Sequence, residues 1–89
     1  MKVLGTTTHF SRNFSRLCKI REKKFKIITE GKIELLRTNP HHPSLRLHKI
    51  NLQGDQAWSI SIDIKIRVLF IYEADGIILV DIGSHDEVY

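Results

Sequence analysis

Along residues 58–72 the even positions are all apolar: Trp58, Ile60, Ile62, Ile64, Ile66, Val68, Phe70 and Tyr72. The odd positions carry Ser59, Ser61, Asp63, Lys65 and Arg67 before turning apolar at Leu69 and Ile71. Such period-two alternation predicts β structure with one buried face and one wetter face. One uninterrupted strand would run roughly 50 Å at about 3.3 Å per residue, too long for a domain with an expected radius of gyration near about 12 Å. The chain must fold back, and the polar residues 63–65 offer the place. A three-residue loop there pairs Ile62 with Ile66, Ile60 with Val68 and Trp58 with Phe70, so that every even residue stays on the core face. A two-residue loop would instead set Arg67 beside Ile62.

The same parity argument applies to "EADGI". A three-residue loop ending in Gly76, whose freedom to take positive φ suits the position, pairs Tyr72 with Ile78, Phe70 with Val80 and Val68 with Ile82. The opposite face then carries Ser59, Ser61, Arg67, Asp81, Gly83 and, just beyond, His85. Arg67 stands opposite Gly83 and diagonal to His85.

Upstream, the period changes. "MKVLG" reads as a short first strand, and Thr6, Thr7 and Thr8 supply helix-cap candidates. Residues 9–24 are helical in pattern, with Phe10, Phe14, Leu17 and Cys18 on one face. A second helix is expected over residues 25–38, with Phe25, Ile28, Leu35 and Leu36 on a common arc and Gly31 weakening it. "TNPHHP" ends that helix, because the residue before each proline is pushed out of the α region. "LRLHKINL" then reads as a strand and "QGDQ" as a turn. The order is one strand, two helices, then three or four antiparallel strands.

Eighty-nine residues suit one small domain, and 42% hydrophobic with 27% charged residues is the composition of a folded chain. Nothing resembles a transmembrane span, and "MKVLGTTTHFSRNFSR" lacks the apolar core of a signal peptide, so the expected location is the cytoplasm. Cys18 is the single cysteine, which rules out an internal disulfide and a cysteine-based zinc framework and reads as a small buried hydrophobe. A net charge of +4 and a pI near 9.5 favour an anionic partner. Arg12, Arg16, Lys19, Lys23 and Lys26 fall at steps of four, three, four and three. They form one stripe on an unbroken helix, or its first four members if the helix ends at Lys24, and could track RNA phosphates or simply be solvated.

Arg67, His85 and the C-terminal Tyr89, gathered at one end of a sheet face above Gly83, form a candidate phosphate-chemistry site. Arginine offers a fixed charge and a planar fork of donors that matches phosphate oxygens. Histidine exchanges protons near neutral pH. RNA cleavage asks for little more, because the 2′-hydroxyl nucleophile comes with the substrate. The bland alternatives are a solvated arginine, a turn histidine and a packing tyrosine. His9, His41 and His42 read as solvated, and "HHP" has no matching metal-ligand motif. His48 could reach the sheet face from its own strand.

"HPSLRLHKI", "WSISIDIKIRVLF" and "LVDIGSHDEVY", in this order, resemble the RelE/ParE superfamily of type II toxins, above all its RelE/StbE and YafQ-type mRNA interferases. The resemblance covers residues 1–89 as one domain. It implies an α+β fold with an N-terminal strand and a two-helix hairpin packed on a twisted antiparallel sheet. It further implies a ribosome-dependent mRNA endonuclease without metal or other cofactor, a cognate antitoxin partner, no membrane, and operator DNA met only through the antitoxin complex. Arg67 falls at the strand arginine of the RelE pattern, here "IRVLF". Tyr89 falls at the tyrosine of "SEVY", here "DEVY", and His85 at the histidine of the YafQ-like "GTH", here "GSH". His48 matches the upstream YafQ-type histidine across a gap. Asp63 stands near where YafQ-type toxins carry a further histidine and Arg67 where they carry an aspartate, so two patterns are mixed. The competing readings are a ParE-like gyrase inhibitor and a degenerate member that binds only its antitoxin.

Overall fold

Residue alternation in the C-terminal half becomes a strongly coiled sheet. The computed structural model describes all 89 residues except for the side chain of residue 87. Strand β1 (Val3–Thr6) leads into helices α1 (Thr8–Ile20) and α2 (Lys24–Thr38), and a 3₁₀ turn (Pro43–Leu45) precedes β2 (His48–Leu52), β3 (Asp55–Ser61), β4 (Ile66–Glu73), β5 (Gly76–Ser84) and a terminal turn of helix, α3 (His85–Val88). The strand order is β1-β5-β4-β3-β2; β2 to β5 run antiparallel, and β1 adds a parallel edge beside β5. The radius of gyration is 12.1 Å.

The first hairpin has the expected register, with Trp58 opposite Phe70 and Ile60 opposite Val68. Asp63 closes it by accepting from the Lys65 and Ile66 amides, each at 2.8 Å, and binds Arg21 at 2.6 Å. Asp63 is therefore a turn-making residue tied to the end of α1.

The second hairpin departs from expectation. Glu73 pairs with Gly76, leaving a two-residue turn, and a bulge lies where the register shifts between Leu69 and Phe70. Phe70 accordingly faces Leu79, and Tyr72 faces Ile77. The bulge restores the parity that the shorter turn removes, so Val68 opposite Ile82 and Arg67 opposite Gly83 come out as expected. Gly76 does not take positive φ; it is needed because a Cβ there would meet the Lys2 carbonyl oxygen at 2.2 Å.

On one side of the sheet Ile60, Ile62, Ile66, Val68, Phe70, Ile77, Leu79 and Ile82 form a core with Phe10, Leu17, Phe25, Leu36 and Leu45 from the helices and the 3₁₀ turn. Phe14 and Cys18 pack against it from α1. Helix α1 is capped at Thr7, whose hydroxyl accepts from the Phe10 amide at 3.0 Å. It ends at Ile20 rather than Lys24, because Arg21 turns extended. On α2 Phe25, Thr29 and Leu36 are buried and Ile33 and Leu35 pack partly buried against the core, while Ile28 of the arc read from sequence faces outward. No helix among the described residues is long and apolar enough to cross a membrane.

Candidate active site

The other face of the sheet is covered differently. Helix α3 packs on β4 and β5, and Ala57, Leu69 and, from α3 itself, Val88 are buried outside the main core. Where that cover stops, three side chains, from β2, β4 and the C-terminus, gather around Ser59 of β3. Arg67 extends diagonally across the β3–β4 ladder, and its Nε donates to Ser59 Oγ at 2.6 Å. The Tyr89 hydroxyl donates to the same oxygen at 2.6 Å. Antiparallel pairing of β2 with β3 sets His48 directly opposite Ser59.

His48 is the closest histidine to the guanidinium: its Nδ1 lies 3.2 Å from Arg67 Nη2, and its Nε2 lies 3.4 Å from the Tyr89 hydroxyl. The Arg46 carbonyl completes the ring of contacts, 3.3 Å from Arg67 Nη2 and 3.1 Å from His48 Nδ1. Arg46 presents that carbonyl from a left-handed conformation with φ 48° at the end of the 3₁₀ turn. Tyr89 donates to Ser59. With the proton on Nε2, His48 donates to the Tyr89 hydroxyl and Nδ1 accepts from Arg67; with the proton on Nδ1, it donates to the Arg46 carbonyl, so the contacts accommodate both tautomers. Arg67 Nη1 keeps its donors free of partners among the described residues, directed to whatever enters the site.

His85 takes a different place from the one its register suggests. Because the chain turns helical at residue 85, its imidazole is turned outward, with 70% of the side chain exposed, and it meets the Tyr89 ring edge-on with centroids 4.3 Å apart. It does not reach Arg67. Tyr89 joins the two histidines, touching His48 through its hydroxyl and His85 through its ring.

The basic residues lie elsewhere. Arg12, Arg16 and Lys19 are exposed on α1, in the layer that packs on the opposite face of the sheet, and Lys23 sits in the turn that starts α2. Since α1 stops at Ile20, the stripe has three members rather than four. In the proline-bounded loop, His42 Nδ1 accepts from the Ser44 amide at 3.2 Å, which is a capping role. No group of three or more His, Cys, Asp or Glu side chains suited to a metal ion occurs among the described residues. Ser59 and the Arg46 carbonyl were not foreseen as part of the site. The signal for Ser59 lay in the alternation, which places it on the same face as Arg67.

Solved structures share this architecture over nearly the whole chain. YafQ from Escherichia coli superposes with a TM-score of 0.82 at 10% identity, covering 99% of both chains. The fold is that of the YafQ toxin. YafQ in its complex with DinJ, from the same organism, gives a TM-score of 0.77 at 10% identity over 99% of each chain. A copper-bound mutant toxin from Helicobacter pylori gives 0.76 at 20% identity over 100% of each. No family model and no curated protein matches the sequence. The likeness to YafQ thus resides in the fold, with about nine of ten aligned residues different.

Proposed function

We propose that the protein is the toxin of a type II toxin–antitoxin system and acts as a ribosome-dependent, metal-independent mRNA endonuclease. The observation that carries this reading is the Arg67, His48, Tyr89 and Ser59 network on the open face of a YafQ fold. A cationic fork and two proton-exchanging groups within one hydrogen-bonded cluster are the requirements of phosphodiester transesterification. The 2′-hydroxyl forms a new bond to the adjacent phosphorus while the bond from phosphorus to the 5′-oxygen breaks. His48 takes the 2′-proton at its unprotonated ring nitrogen, Arg67 stabilises the charge that builds on the phosphoryl oxygens, and His85, which lies beside the Tyr89 ring outside the hydrogen-bonded cluster, delivers a proton to the departing 5′-oxygen. Tyr89 aligns the two imidazoles and offers a ring for base stacking. The products are a 2′,3′-cyclic phosphate, or the 3′-phosphate formed from it, and a 5′-hydroxyl.

Arg12, Arg16, Lys19 and Lys23 would hold ribosomal RNA through its phosphates, on a surface separate from the cluster. A cognate antitoxin would cover the toxin, as DinJ is found in complex with YafQ, and operator DNA would be met only through that complex. The test is a reconstituted translation reaction with primer extension to map new 5′ ends, run beside a ribosome-free control. Arg67→Ala is expected to lower cleavage at least about a hundredfold and His48→Ala by a similar factor. Intact message with folded wild-type protein would overturn the reading, and inhibition of DNA supercoiling by the same sample would replace it with a gyrase inhibitor.

A further inference from the structure

Beside the cluster the coiled sheet leaves a groove of about 480 Å³, bounded at one end by Tyr89 and floored by Leu52, Val80 and Val88. It continues, through Thr7, Leu52, Gln53 and Val80, into a second depression of about 540 Å³. Both fall within the roughly 300–1,000 Å³ range of small-molecule sites. We propose that this groove receives the base of a nucleotide flanking the scissile phosphate, and that Gln53 is a residue determining which bases are accepted. The proposal rests on the endoribonuclease reading above.

Charge separates the two ends. Arg67 marks the phosphate end, whereas no Lys or Arg is among the described residues lining the groove. Its polar lining instead includes His9, Asn51, Gln53 and Asp81, with Asp55 in the second depression. A carboxylate repels a phosphate but accepts from the amino or imino groups of a base. Asp81 Oδ1 is occupied by Asn13 Nδ2 and the Ile82 amide, both at 2.8 Å, while Oδ2 has no partner among the described residues. Asn51 Oδ1 accepts from the Gly54 amide at 3.0 Å, which leaves its Nδ2 to donate. An apolar floor with donors and acceptors on the rim suits a flat heterocycle read along its edge.

Gln53 provides an independent sign. It is one of two non-glycine residues with positive φ, at 52°, and with Gly54 at 88° it forms the β2–β3 turn. Successive positive φ values there favour Asn or Gly at the first position, and Gln fits poorly. The chain thus keeps an unfavourable residue in a hairpin turn, at a position that lines both parts of the groove.

Gln53→Gly separates stability from selectivity. The variant is expected to raise Tm by about 4 °C, because the turn strain is relieved. It should still cut message on the ribosome, but cutting at the preferred sites should fall about tenfold relative to other sites. In parallel, a dinucleotide with a 2′-deoxy sugar on its 5′ side, which cannot be cleaved, is titrated against both proteins by methyl NMR. Leu52, Val80 and Val88 should shift in the wild type and move much less in Gln53→Gly. An unchanged distribution of cuts, or Leu52, Val80 and Val88 methyls that do not shift in the wild type, would overturn the base-reading role and leave the nuclease intact. A wild-type protein that never cuts would remove both.

Discussion

On the helix side of the sheet, Ile60, Val68, Phe70 and Ile82 are each fully buried in one core with apolar side chains from α1, α2 and the 3₁₀ turn. On the other side, the same strands carry Ser59, Arg67 and Gly83, and the cover is a single turn of helix ending at the chain terminus. One residue of offset along β4 therefore separates a side chain that holds the domain together from one that faces a ligand. Binding energy for folding is concentrated on one face, which frees the other to hold polar groups in place without being closed over them.

Paired substitutions on β4 test this division most severely. Phe70→Ala deletes a fully buried ring and should cost about 3–5 kcal/mol in urea unfolding, enough to unfold much of a small domain. Arg67→Ala, three positions away on the opposite face, should abolish cleavage while costing no more than about 1 kcal/mol. Its partner Ser59 Oγ keeps the Tyr89 hydroxyl, and its other contacts lie at the open rim of the site. Comparable destabilisation by the two substitutions would break the comparison.

Ser59→Ala sharpens it. Ser59 is fully buried yet belongs to the polar face, accepting from both Arg67 Nε and the Tyr89 hydroxyl. Removing the oxygen leaves two donors that can partly turn to water, so the stability loss should be about 1–2 kcal/mol. Cleavage should fall about tenfold, less than for Arg67→Ala, because the charge stays but is no longer aimed. A circular-dichroism melt beside the translation assay reads both quantities. Full cleavage by this variant would show that Ser59 only fills space.

How much of this was legible in the chain follows from where the period was clean. Residues 58–68 alternate without error, and the first hairpin, the core face and the place of Arg67 came directly from that alternation. Between residues 77 and 80 every position is apolar, so period two carries no register. The two-residue turn and the bulge were missed there, and Arg67 still met Gly83 because the two departures cancel. The C-terminal turn was illegible for another reason: four residues of helix rotate His85 away from the strand parity that had placed it near Arg67. His48 was anticipated as a side chain able to reach the face from its own strand and, across a gap, as the match to the upstream YafQ-type histidine. Its role at the centre of the site depends on the β2–β3 register and on the left-handed Arg46, neither of which local pattern specifies.

The smallest expected effect lies on the helix side, at its one polar exception. Thr29 is fully buried on the inner arc of α2, and its hydroxyl has no hydrogen-bond partner among the described residues. A buried hydroxyl without a partner gives up its hydration and receives nothing in return. Thr29→Val replaces that hydroxyl by a methyl group of similar volume, keeps the β-branch, and leaves the packing of Phe25 and Leu36 in place. Stability should rise by about 1 kcal/mol, a Tm increase of about 4–8 °C for a domain of this size. Cleavage should not change, since the residue lies across the sheet from Arg67. A fall in stability would mean that the hydroxyl is satisfied in solution, and that the helix-side face is less purely apolar than its contacts describe.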